Sequence, residues 1–174
     1  MVAFISALLP VLALIPSSLA NPIAQKRDLT FTLQDINYYS SMVYSTPAHL
    51  ATYGGRIQFN LTNPAVSYLT RCDAWGRHLQ DMFYGESEYT CEAPVGETGV
   101  TNFTYSRPNN AFTVNQTWTQ DGKTYLGKIS GTTNLQCVTD KWQNDNWTMG
   151  QLYSITTVTC EPSELTLVPE VTEI

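Results

Sequence analysis

The sequence predicts an all-β protein: a single compact β-sandwich or β-barrel of about ten short antiparallel strands with two disulfides. Three observations carry that prediction. Short runs rich in Val, Ile, Thr, Tyr and Phe alternate apolar and polar residues at a period of two. Clusters of Gly, Pro, Asn and Asp separate the runs, as turns require. No stretch keeps a helical apolar period beyond about ten residues.

The first segment is read as targeting sequence and set aside. Residues 2–15, "VAFISALLPVLALI", are apolar but shorter than the roughly 20 residues a membrane span needs. "PSSLA" follows, with the small residues Ser18 and Ala20 where a signal peptidase expects them, so residues 1–20 read as a signal peptide cut after Ala20. No Lys or Arg precedes the apolar run, which leaves the amino terminus as its positive charge. Residues 21–27, "NPIAQKR", then read as a short propeptide that a secretory-pathway protease removes after Lys26 and Arg27. Residues 28–174 contain no repeat, low-complexity tract or linker, and form one domain able to bury a core.

Within that domain the candidate strands run, in order, "LTFTL", "INYYS", "RIQFNLT", "VSYLTRC", "EYTCE", "TNFTY", "AFTVNQTWT", "TYLGKI", "TNLQCV", "LYSITTVTC" and "ELTLV". Turns fall at "YGG", "RPNN", "QDGK", "ISG" and "QNDN", and "QDGK" between two strand patterns is the strongest hairpin signal. "DAWGRHLQDMF" is the one place where a helical turn or two is expected.

Four N-x-[ST] sequons, at Asn60, Asn102, Asn115 and Asn146, are candidate N-glycosylation sites. Three of them lie in phase with the strand alternation. Asn60 and Thr62 stand opposite Ile57, Phe59 and Leu61; Asn102 and Thr104 stand opposite Phe103 and Tyr105; Asn115 stands opposite Phe112, Val114 and Trp118. Successive side chains of a strand point to opposite faces, so each of these asparagines points outward where a glycan has room.

Charge and cysteine usage exclude several classes. Removing Lys26 and Arg27 from the nine basic residues leaves 7 against 15 acidic ones, a net charge of −8 for the mature chain. That argues against nucleic acid, whose phosphates need clustered Lys and Arg, and against a membrane surface after signal cleavage. Cys72, Cys91, Cys137 and Cys160 are an even set in a secreted chain and read as two disulfides, with three connectivities open. No C-x2-C pair is present and neither His49 nor His78 stands at ligand spacing, so neither metal nor cofactor is expected.

A catalytic reading has little to stand on. Glu86, Glu88 and Glu92 are the candidates for a glycosidase pair, but their even spacing puts them on the solvent face of one strand. His49 and His78 are candidate bases without a motif around them. In "DKWQNDNWT", Trp142 and Trp147 flank a polar loop and are candidate ligand contacts, as in a carbohydrate-binding module.

The order of features resembles the AA1-like family of fungal secreted proteins. The resemblance rests on "DINYYS", "GGRIQFNLTN", Cys72 followed by "EYTCEAP", "FTVNQTWT", Cys137, Cys160 and the terminal "ELTLVPE". It implies a compact β-barrel with disulfides Cys72 to Cys91 and Cys137 to Cys160. It further implies an extracellular, non-catalytic effector-, elicitor- or allergen-like protein that binds a host extracellular protein or a small ligand. The family's covalent dimer uses a cysteine near the amino terminus. None precedes Cys72, so a monomer is expected.

Overall fold

The computed structural model describes residues 29–48 and 51–174. The readings made on Ala20, Lys26, Arg27 and His49 fall outside the described residues. Eleven strands follow in order: β1 (Phe31–Tyr44), β2 (Ala51–Thr62), β3 (Leu69–Gly76), β4 (Tyr89–Thr90), β5 (Thr101–Ser106), β6 (Ala111–Gln120), β7 (Lys123–Thr132), β8 (Cys137–Gln143), β9 (Ser154–Cys160), β10 (Ser163–Leu167) and β11 (Glu170–Glu173).

They form two antiparallel sheets. The larger has the order β3-β2-β1-β9-β8 with β10 also on β1; the smaller has the order β11-β7-β6-β5-β4. The sheets face each other as a sandwich and do not close into the barrel that the resemblance implied. The chain nevertheless crosses between them at both sides. A bridge between Arg71 and Glu92 links β3 to the end of β4, while β10 leads directly into β11 on the smaller sheet.

The inward rows follow the alternation read from the sequence. Ile57, Phe59 and Leu61 on β2, Phe103 and Tyr105 on β5, and Phe112, Val114 and Trp118 on β6 are all buried. Phe59 sits at the centre of this layer, edge-on to Phe103 at 4.9 Å and to Phe112 at 5.6 Å between centroids. Such edge-to-face pairs add about 1 kcal/mol each beyond the area they bury. Gly127 leaves space for two rings, since a Cβ there would lie 2.7 Å from Phe31 and 2.9 Å from Trp118.

Three sequence readings are corrected. "LTFTL" and "INYYS" are one strand, β1, because a bulge at Asp35, with φ of 53°, absorbs one residue. The inward set therefore changes from Phe31 and Leu33 to Ile36 and Tyr38 without ending the strand. "DAWGRHLQDMF" forms no helix: β3 continues to Gly76, and residues 77–82 turn back so that His78 and Met82 pair through backbone bonds of 3.0 and 3.3 Å. Cys72, Ala74 and Gly76 bury one face of β3 there, which is strand periodicity. The candidate strand "TNLQCV" is displaced along the chain: β8 begins at Cys137 and runs to Gln143, while "QNDN" keeps its turn over residues 144–146. The "QDGK" hairpin forms as expected, with Asp121 and Gly122 both at positive φ.

Candidate functional site

The outer face of the larger sheet has no layer over it among the described residues. Register places Trp75, Arg56, Tyr39, Thr159 and Val138 in one row across five strands. Trp75 is 61% exposed, Tyr39 41% and Val138 69%. Odd-numbered positions of β3, Arg71, Asp73 and Trp75, point outward because Cys72, Ala74 and Gly76 are committed to the core.

Arg56 organises this face. Its Nε donates to Asp73 Oδ1 at 2.8 Å and its Nη2 donates to Oδ2, a two-point ion pair across neighbouring strands. The Arg56 hydrogen bond holds the Asp73 carboxyl below the usual carboxylate range. The guanidinium carbon lies 5.3 Å from the Trp75 ring centroid, a cation–π contact. Beside Trp75 runs a groove of about 290 Å³, lined by Ser41, Val43, Thr52, Tyr53, Gly54, Trp75 and Arg77. Sequence reasoning missed it because Trp75 and Arg77 lay in the stretch given helical character. The alternation of Arg71, Asp73 and Trp75 with buried Cys72 and Ala74 was the available signal.

The two tryptophans picked from the sequence are not brought together as a platform. Trp142 stands on β8 opposite Ile155 and is 49% exposed. Trp147 is half-buried in the β8–β9 turn, where Nε1 donates to the Ser45 carbonyl at 3.2 Å and to the Gln151 carbonyl at 2.8 Å. It pins the hairpin tip to the end of β1. The carbonyl partners and the edge contact with Tyr153, at 6.3 Å, make Trp147 an anchor.

The remaining candidates are dispersed. Glu86, Glu88 and Glu92 are all exposed, and Glu92 exchanges backbone bonds with Arg71. His78 is exposed and stacks on Tyr84 at 6.0 Å. No group of three His, Cys, Asp or Glu side chains able to hold a metal occurs among the described residues. Asn102 and Asn115 are direct cross-strand partners on the outer face of the smaller sheet; Asn60 donates to Asp35 at 3.3 Å; Asn146 is exposed in the hairpin turn.

The disulfides join Cys72 to Cys91 and Cys137 to Cys160. The first lies between the sheets and is buried; the second closes the base of the β8–β9 hairpin. These features define a disulfide-linked β-sandwich that exposes one aromatic sheet face. The family model for Alternaria alternata allergen 1 matches residues 34–160, and the chain belongs to that allergen family. No curated protein and no solved structure matches the chain.

Proposed function

We propose that this protein is an extracellular, non-catalytic interaction protein that binds a host extracellular protein or a small ligand through the outer face of its larger sheet. The supporting observation is that uncovered face, where Trp75 and Tyr39 stand exposed on strands whose other sides build the core and Val138 and Trp142 continue the face onto β8. Apolar area of this kind on a soluble domain marks an interaction site more often than chance. Membership of an allergen family fits a stable, disulfide-held domain that works outside the cell. In this reading the signal peptide and the Lys26-Arg27 propeptide are removed, the sequons at Asn60, Asn102, Asn115 and Asn146 take glycans, and the chain is a monomer.

The test is capture from host extracellular fluid with the mature wild type and with a Tyr39→Ala, Trp142→Ala variant. Retention of a specific protein by the wild type, lost in the variant, supports the reading. Equal retention by both moves the binding surface elsewhere. Amino-terminal sequencing of secreted material tests processing: a start at Asp28 is expected, and a start at Asn21 makes the Lys-Arg pair incidental.

A further inference from the structure

We infer that the groove beside Trp75 is a binding site for an acidic sugar, a pyranose of a uronic-acid oligosaccharide. This deepens the reading given under Proposed function and rests on it.

The shape comes from the sheet. Gly54 on β2 and Ser41 on β1 are direct partners and form a floor without bulk, while Trp75 rises on one side and Val43 and Thr52 on the other. Arg56 packs on the Trp75 ring but does not line the groove. An indole wall along a shallow groove of about 290 Å³ suits the apolar face of one sugar ring, with the hydroxyls of Ser41 and Thr52 positioned for its polar rim.

Charge selects the class of sugar. The chain carries a net charge of −6, yet two arginines stand beside Trp75: Arg56 packs on its ring and Arg77 lines the groove with it. Asp73 engages Arg56 in the two-point pair, leaving an excess of positive charge on this patch. Arg77 lines the groove, is exposed, and has no side-chain hydrogen bond or ion pair among the described residues. No acidic side chain among the described residues lines the groove. A guanidinium beside an aromatic wall matches a pyranose whose ring stacks and whose carboxylate accepts from the fork. A neutral sugar leaves Arg77 unused.

Titration calorimetry of the mature protein with trigalacturonate at low ionic strength tests this, with methyl-esterified trigalacturonate as the uncharged control. Binding is expected for the acid, weakening with added salt and falling about tenfold or more for the ester. Arg77→Gln is expected to weaken the acid about tenfold and to abolish the preference over the ester. Gly54→Val fills the floor and is expected to abolish binding. A Cβ at Gly54 meets only the Gly76 carbonyl oxygen, at 3.7 Å, so the fold is retained, as circular dichroism checks. No binding by the wild type, equal binding of acid and ester, or unchanged binding in Gly54→Val overturns the assignment. If a protein partner is still captured through the outer face while trigalacturonate fails to bind, the groove assignment falls and the broader reading stands.

Discussion

The two disulfides close loops of 19 and 23 residues, so chain entropy credits each with nearly the same stabilisation, about 3 kcal/mol. Their surroundings differ. Cys72 and Cys91 are 0% and 8% exposed and join the larger sheet to the smaller one. Cys137 and Cys160 join neighbours within one hairpin; Cys160 is buried at 3% exposed, but Cys137 is half-buried and every residue of β8 beyond it is exposed. The first region is a two-sided core with a sheet on each side of the aromatic layer. The second is a sheet margin held by backbone bonds, the Cys137 to Cys160 link and the Trp147 anchor. Cross-linking counts residues in a loop; burial decides what else is lost when the link goes.

The largest expected effect sharpens that contrast. Cys72→Ser with Cys91→Ser should cost about 5 kcal/mol, combining lost loop entropy with hydroxyls left in an apolar layer. That is a large share of the 5 to 15 kcal/mol typical of a domain, and the midpoint of urea unfolding reads it. Phe59→Ala should cost about 4 kcal/mol, because Phe59 is buried against Phe103 and Phe112. Cys137→Ser with Cys160→Ser should cost about 3 kcal/mol. Hydrogen exchange should then show β8 and β9 amides opening while β5 and β6 stay protected. Equal loss of protection in both regions breaks the distinction drawn between them.

A smaller effect is expected from a polar feature of the core. Gln116 is 1% exposed, accepts from Asn63 Nδ2 at 2.9 Å and donates to Thr70 at 3.2 Å, tying the β2–β3 loop to β6. Gln116→Ala should cost about 2 kcal/mol by leaving Asn63 and Thr70 without that partner. On the margin, Trp142→Ala should change stability by less than about 0.5 kcal/mol.

The pH response should separate the outer face of the larger sheet from the core between the sheets. Asp73, on the outer face, has its carboxyl depressed by the Arg56 bond. Its contribution is present above the unfolded value of about 4 and is lost as pH falls through the lower folded value. Tyr105, inside, has its phenol pushed up by burial. Its contribution is present below the unfolded value of about 10 and is lost as pH rises. Asp73→Asn should blunt the acid response and leave the alkaline one intact, which pH-dependent unfolding curves check.

Much of the inner architecture was legible because a period of two needs only local chemistry. "RIQFNLT", "TNFTY" and "AFTVNQTWT" each state which side chains go inward, and the structure buries those. "QDGK" specifies its own turn, since Asp and Gly accept the positive φ that a two-residue hairpin demands. The exposed margin was harder to read. β8 and β11 bury little or nothing on either face, so neither carries an alternation to detect, and they are strands because β9 and β7 offer them backbone partners. Sequence reasoning accordingly caught only Cys137 and Val138 of β8, through "TNLQCV", and made Trp142 and Trp147 a pair.

By itself, then, the sequence determined that the chain is all-β, where its core strands lie and which side of each faces in, because burial writes a local pattern into the residues. Only the tertiary structure decided what depends on neighbours distant in the chain. The bulge at Asp35 joins two out-of-phase patterns because β2 pairs continuously alongside both. A sandwich forms because the sheets meet at β3–β4 and β10–β11 without closing. The groove beside Trp75 exists because register sets residues from β1, β2 and β3 side by side, and no short stretch of sequence contains that adjacency.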